Sequence, residues 1–113
     1  MSRRFLVPAV AALAATALAA GCGGSGSGEP VATTEVSMAK SYRFDPKTVE
    51  IHAGQSVTWT NDDNFTHTVE VEGRPDHKVG RGESVSIRFD KAGTYDYVCT
   101  LHSHDMHGTV IVE

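Results

Sequence analysis

From residue 35 onward, apolar side chains recur at every second position in short runs, and this alternation limits the fold more than any other feature of the chain. A period of two is typical of β-strands that bury one face. Turn-forming residues such as Asp45-Pro46 and Gly80-Arg81-Gly82 separate the runs, and no stretch has the period of an amphipathic helix. Residues 35–113 are therefore predicted to form one all-β domain, an antiparallel β-sandwich. The apolar pairs and triplets that define the predicted strands are Val36/Met38, Tyr42/Phe44, Val49/Ile51, Val57/Trp59, Val69/Val71, Val85/Ile87/Phe89, Tyr95/Tyr97 and Val110/Val112.

The first 21 residues have the organisation of an export signal. Arg3 and Arg4 precede an apolar run rich in Ala and Leu, and small residues follow that run. A transmembrane helix is disfavoured because the run is short and Pro8 interrupts it. The residues that end at Cys22 resemble a bacterial lipobox, which implies that Cys22 becomes the lipid-modified first residue of the mature protein. Ordinary cleavage after Ala19 is the alternative.

Residues 22–34 predict a flexible linker, because they begin with a tract of Gly and Ser. A dozen free residues of this composition reach roughly 20 Å, so the domain is expected to be tethered to the membrane and not embedded in it. Removal of Arg3 and Arg4 with the signal leaves 8 Lys and Arg against 14 Asp and Glu, a formal charge of −6. An acidic chain without a basic patch excludes nucleic acid as an expected partner.

Cys99 is the residue that most requires a chemical explanation. The chain has two cysteines, and a bridge from Cys99 to Cys22 in the Gly/Ser tract would stabilise nothing. Cys99 is followed by His102 and Met106 in a segment between two predicted strands, where a loop can bring their side chains to one point. Soft sulfur ligands together with imidazole select copper, and a Cys and two His with a weak axial Met form the electron-transfer copper site. His67, at the start of a strand after a long turn, is the candidate for the second imidazole.

The domain resembles the cupredoxins, near plastocyanin, amicyanin and pseudoazurin. The segments Gly93-Thr94-Tyr95-Asp96-Tyr97-Val98-Cys99 and Phe44-Asp45-Pro46 carry the resemblance, together with the ligand loop. It implies a Greek-key β-sandwich with one type 1 copper ion held by His67, Cys99, His102 and Met106. The implied function is one-electron transfer between Cu(II) and Cu(I), with transient redox-protein partners and a monomeric carrier.

The loop departs from the family pattern at two neighbours of the ligands. Leu101 stands where a Pro often precedes the histidine, and Thr68 stands where an Asn often links the two ligand loops. The backbone N–H of Thr68 remains able to approach the sulfur of Cys99. His104 is an alternative ligand to His102, disfavoured because only Asp105 would then separate it from Met106.

Two other functions stay open at the level of sequence. Copper storage, delivery or sensing would use the same four ligands. An enzyme with Cys99 as its nucleophile would leave Met106 unexplained, and four protein ligands leave no open position for a substrate on the metal. The chain is therefore expected not to be an enzyme.

Overall fold

Residues 29–113 of the computed structural model are described here, and they form two packed β-sheets. The six-stranded sheet has the order β1-β4-β10-β9-β6-β7, and the four-stranded sheet has the order β3-β2-β5-β8. A single turn of 3₁₀ helix (Thr100–His102) lies between β9 and β10. The strands are β1 (Val31–Ala32), β2 (Glu35–Ala39), β3 (Arg43–Asp45), β4 (Thr48–Ile51), β5 (Gln55–Asn61), β6 (His67–Val71), β7 (Asp76–Val79), β8 (Ser84–Phe89), β9 (Gly93–Val98) and β10 (His107–Val112).

The predicted all-β sandwich is confirmed, but both sheets are mixed in strand direction. β4 lies parallel to β1 and to β10, and β2 lies parallel to β5, whereas the other pairs are antiparallel. Parallel neighbours require long connections, so these pairs join segments that are distant in sequence. No helix in residues 29–113 has the length and apolar character needed to span a bilayer.

The core lies between the two sheets and contains most of the predicted alternating residues. Val85 and Tyr95 are partly buried against it, and Tyr42 is exposed. Trp59 and Tyr97 pack edge to face with ring centroids 5.1 Å apart, and Phe44 packs on Tyr97 at 4.7 Å. The Tyr97 hydroxyl donates to the backbone carbonyl of Lys47 at 3.1 Å, and burial raises the pKa of this phenol. Gly108 of β10 lies against the same two groups, where no side chain fits.

Three local features differ from the sequence pattern. Tyr42 does not share a strand with Phe44, because Ser41 and Tyr42 have φ angles of 75° and 55° and form a left-handed turn before β3. Asp76–Val79 forms β7 although its sequence has no clear alternation. Val31–Ala32, inside the predicted linker, pairs with β4. The predicted signal peptide (residues 1–21), Cys22 and linker residues 22–28 lie outside the described residues.

One edge of the four-stranded sheet is formed by β8, whose even-numbered residues direct their backbone groups away from β5. Arg74 reaches this edge from another part of the chain. Its guanidinium donates to the carbonyl of Arg88 at 2.7 Å and lies 4.5 Å from the centre of the Phe89 ring.

Candidate metal centre

Three neighbouring strands deliver the candidate ligands to one end of the sandwich. β9 lies between β6 and β10, with Val98 paired to Glu70 on one side and to His107 on the other. His67 begins β6, and Cys99 directly follows β9. The strand order therefore places an imidazole and a thiol side by side although many residues separate them in sequence.

The sulfur of Cys99 is fully buried and faces two polar groups. His67 Nδ1 lies 3.7 Å from Sγ, and the backbone N–H of Thr68 donates to Sγ at 3.3 Å. The sulfur therefore lies beside one ring nitrogen and one backbone donor, and sulfur together with imidazole is a donor pair that suits copper.

Asp63 orients the buried ring of His67 from the opposite side. His67 Nε2 lies 2.8 Å from Asp63 Oδ2, and both side chains are almost completely buried. The hydrogen bond with His67 lowers the pKa of Asp63. Because an ionised carboxylate can only accept, Nε2 carries a proton, and in the neutral imidazole the lone pair of Nδ1 is directed at Cys99. Asn61 holds the turn by accepting the backbone N–H of Asp63 at 2.8 Å.

Backbone hydrogen bonds close the loop that contains the other two candidates. The N–H of Cys99 donates to the carbonyl of Met106 at 3.0 Å, and the N–H of Met106 donates to the carbonyl of His102 at 2.9 Å. Met106 is fully buried and His102 is half-buried. The loop is thus ordered with Leu101 in the place of the proline that the family pattern often has.

Thr68 and Thr100 join the two ligand loops. The hydroxyl oxygen of Thr68 accepts the backbone N–H of Thr100 at 2.7 Å and lies 2.8 Å from the Thr100 hydroxyl. Thr100 in turn donates to Asp76 on β7 at 2.9 Å. These hydrogen bonds connect the loop before β6 to the loop after β9. Thr68 therefore links the two ligand loops at the position where the family pattern often has an Asn.

The structure separates the histidines into two groups. The ring centroids of His67 and His102 are 5.3 Å apart, whereas His104 and His107 are exposed to solvent. No three His, Cys, Asp or Glu side chains of residues 29–113 meet closely enough to form a metal site by themselves. The predicted ligand set differs from such a group because its fourth member is the thioether of Met106. Copper binding by these four residues stays a prediction.

The comparisons with known proteins identify the family. A family model described as a cupredoxin-like domain matches residues 8–112. Amicyanin-alpha of Methylorubrum extorquens is 39% identical over an alignment that covers 93% of each chain. The chain belongs to the cupredoxin family. Plastocyanin of Scenedesmus fuscus is 37% identical to this cupredoxin over 62% of the chain and 86% of the plastocyanin.

Solved structures agree with the fold of this cupredoxin. An oxidised amicyanin variant superposes with a TM-score of 0.61 at 34% identity, covering 70% of this chain and 80% of that one. A purple cupredoxin from Nitrosopumilus maritimus gives a TM-score of 0.64 at 23% identity, covering 72% of this chain and all of the other, and it supports the fold alone. A copper-containing nitrite reductase from Thermus scotoductus gives 0.61 at 32% identity and covers 75% of this chain, but only 23% of the reductase.

Two residues at the centre are not among those that the sequence predicts for the site. Asp63 lies in the long turn that precedes His67, and a carboxylate four residues before a candidate ligand is a usable signal for a group that orients it. Tyr42 was read as a strand residue, and its ring instead lies 4.4 Å from that of His102. No pattern in the sequence around Tyr42 indicates its left-handed backbone.

Proposed function

We propose that this cupredoxin is a one-electron carrier with a single type 1 copper ion held by His67, Cys99, His102 and Met106. The observation that carries the proposal is the buried sulfur of Cys99, which faces Nδ1 of His67 inside the loop closed by Met106. One thiolate, two imidazoles and a thioether match the donor chemistry of electron-transfer copper sites. The bound metal supplies a Cu(II)/Cu(I) couple.

The chain's own groups hold the ligands in place during that change of charge. Thr68 donates to the sulfur, Asp63 fixes the tautomer of His67, and the Thr68–Thr100 bonds keep the two loops together. Because these contacts do not involve the metal, the donors are held in similar positions in both oxidation states. Small rearrangement is what rapid electron exchange requires.

We further propose that the protein is not an enzyme. Four protein donors leave no open position on the metal. Cys99 is fully buried, which argues against a nucleophile that attacks a substrate. The nitrite reductase resembles this chain in less than a quarter of its own length, so that activity does not transfer with the resemblance.

An exposed apolar patch supports docking of redox proteins near His102. Phe65 and Leu101 are each 55% exposed, and Tyr42 is 37% exposed. Leu101 directly precedes His102 in the chain, and the ring of Tyr42 packs on both His102 and Phe65. A small patch of this kind suits a weak and transient interface between a monomeric carrier and its partner. The acidic character of the chain favours a basic surface on that partner.

The proposed location is outside the cytoplasm. The signal-like residues 1–21 support export, and Cys22 with the following Gly/Ser tract supports a lipid anchor. Both features lie outside the described residues, so they rest on the sequence.

The two cysteines allow a matched experiment on these proposals. Cys99→Ser is expected to abolish the intense visible thiolate-to-copper band of the copper-loaded protein and to leave the β-fold intact, whereas Cys22→Ser is expected to keep the band and release the protein from membranes. A Cys99→Ser protein that stays intensely coloured contradicts the site, and unmutated protein in the soluble fraction contradicts the anchor. Electron exchange without transfer of the metal to an acceptor distinguishes the carrier from a copper-delivery protein.

A further inference from the structure

Tyr42 contacts a candidate copper ligand with its ring. The centroids of the Tyr42 and His102 rings are 4.4 Å apart, and their planes make an angle of 43°. Tyr42 also lies 6.0 Å from Phe65, and its side chain is 37% exposed. The Tyr42 ring therefore forms part of the protein surface against which the imidazole of His102 rests.

The backbone at this position is unusual for a residue with a large side chain. Ser41 and Tyr42 have φ angles of 75° and 55°, in the left-handed region that favours glycine. The side chain of Arg43 closes the turn by donating to the carbonyl of Lys40 at 2.7 Å. Conformations of this kind persist where surrounding contacts fix them, and they are concentrated at functional sites.

The two imidazoles of the centre are held in different ways. His67 is oriented by the carboxylate of Asp63 at 2.8 Å. Among residues 29–113, the side chain of His102 makes no hydrogen bond, and its ring packs on Tyr42 and His67. The orientation of His102 therefore depends on aromatic packing, and Tyr42 provides the closer of the two rings.

We propose that Tyr42 is a positioning residue that fixes the ring of His102 and slows its release from copper. The role toward the metal rests on the proposed function, but the contact with His102 does not. The ring is the active part of the side chain, because the hydroxyl of Tyr42 has no hydrogen-bond partner in the described chain. Phenylalanine at this position is therefore expected to replace tyrosine fully.

The first test uses metal-free protein and measures the proton chemical shifts of the His102 ring by NMR. Tyr42→Gly removes the aromatic ring and fits the left-handed backbone, and Tyr42→Asn is a second variant that tolerates the same φ angle. Both are expected to lose the ring-current shift of His102, whereas Tyr42→Phe retains it. Tyr42→Phe is therefore the matched control, because it keeps the ring and removes only the hydroxyl. Unchanged His102 shifts in Tyr42→Gly and Tyr42→Asn would overturn the contact.

The second test measures how fast Cu(I) passes from the loaded protein to a chelator. Loss of the ring is expected to accelerate copper release about 2- to 10-fold, the range that one aromatic contact supports. Tyr42→Phe is expected to release copper at the rate of the unmutated protein. Equal rates in Tyr42→Gly and the unmutated protein would overturn the role toward copper. If no variant binds copper, the proposed function fails together with that role, and the NMR shifts still decide the contact.

Discussion

Replacement of Asp63 by asparagine tests how the buried ring of His67 is oriented. The carboxylate of Asp63 makes two hydrogen bonds through different oxygens: Oδ1 accepts the backbone N–H of Asn64 at 2.7 Å, and Oδ2 lies 2.8 Å from His67 Nε2. Asparagine has the same shape but only one acceptor oxygen. Its amide group must therefore face either the N–H of Asn64, where two donors meet, or His67, where it would move the imidazole proton to Nδ1.

The first arrangement loses the hydrogen bond from Asn64, and the second replaces a charged hydrogen bond to His67 by a neutral one. A hydrogen bond to a charged group is worth about 1.5–3 kcal/mol. We expect Asp63→Asn to lower the free energy of unfolding of the metal-free protein by about 2 kcal/mol. A proton on Nδ1 of His67 would also occupy the lone pair that faces Cys99, so copper affinity is expected to fall about 10- to 100-fold, as for other groups that orient ligands.

The assays are urea denaturation of metal-free protein and competition for Cu(I) against a coloured chelator. Asp62→Asn is the matched control, because it makes the same charge change at an exposed neighbour whose side chain accepts a hydrogen bond from the hydroxyl of Ser37 and does not contact His67 within residues 29–113. If Asp63→Asn and Asp62→Asn have equal effects on stability and affinity, Asp63 does not orient His67.

The hydrogen bond with His67 lowers the pKa of Asp63, so its stabilising contribution is present above the ordinary value of about 3.9 and is lost as the pH falls through the lower folded value. The stability gap between unmutated protein and Asp63→Asn should be constant near neutrality and close in acid.

Two further predictions concern the core below the site and the choice of histidine. Gly108→Ala would push a methyl group against the Lys47 carbonyl and the Tyr97 hydroxyl, so urea denaturation should report a loss of about 2–4 kcal/mol, and an unchanged midpoint would contradict the packing. His102→Gly should open the copper site to added imidazole and alter the visible spectrum, whereas His104→Gly should leave spectrum and affinity nearly unchanged. A band lost in the His104 variant and kept in the His102 variant would reverse the assignment.

The sequence predicted the fold well because burial of one strand face leaves a period that is visible in the residues themselves. Trp59, Met38 and Phe89 are fully buried in the structure. Each lies on the buried face of its strand, as the alternation of apolar residues predicts. The sequence does not predict β7, because Asp76 and Lys78 are exposed and Val79 is the only fully buried residue of this strand. An edge strand with little burial leaves little alternation to detect.

The candidate site was predictable in its donors but not in their supports. Cys99 and Met106 are rare residue types with a distinctive spacing, whereas the groups that orient ligands are common polar and aromatic residues. Asp63 and Tyr42 act through turns whose geometry depends on contacts with distant segments, such as the bond from the Asn61 side chain to the carbonyl of Val79 at 2.9 Å. Such contacts exist only after the sheets have packed.

The position of Arg74 on the outer edge of β8 affects how these molecules meet one another. A free strand edge is a template on which a second chain can add its own strand, and this is a common route to aggregation. Arg74 occupies the outward carbonyl of Arg88 and is held there by the Phe89 ring, so an incoming strand would have to displace a bound cation before it could pair. The end of the molecule that carries Tyr42 and Leu101 is left apolar and accessible, while this edge is blocked by charge. Encounters between copies are therefore directed away from pairing along this edge of the sheet.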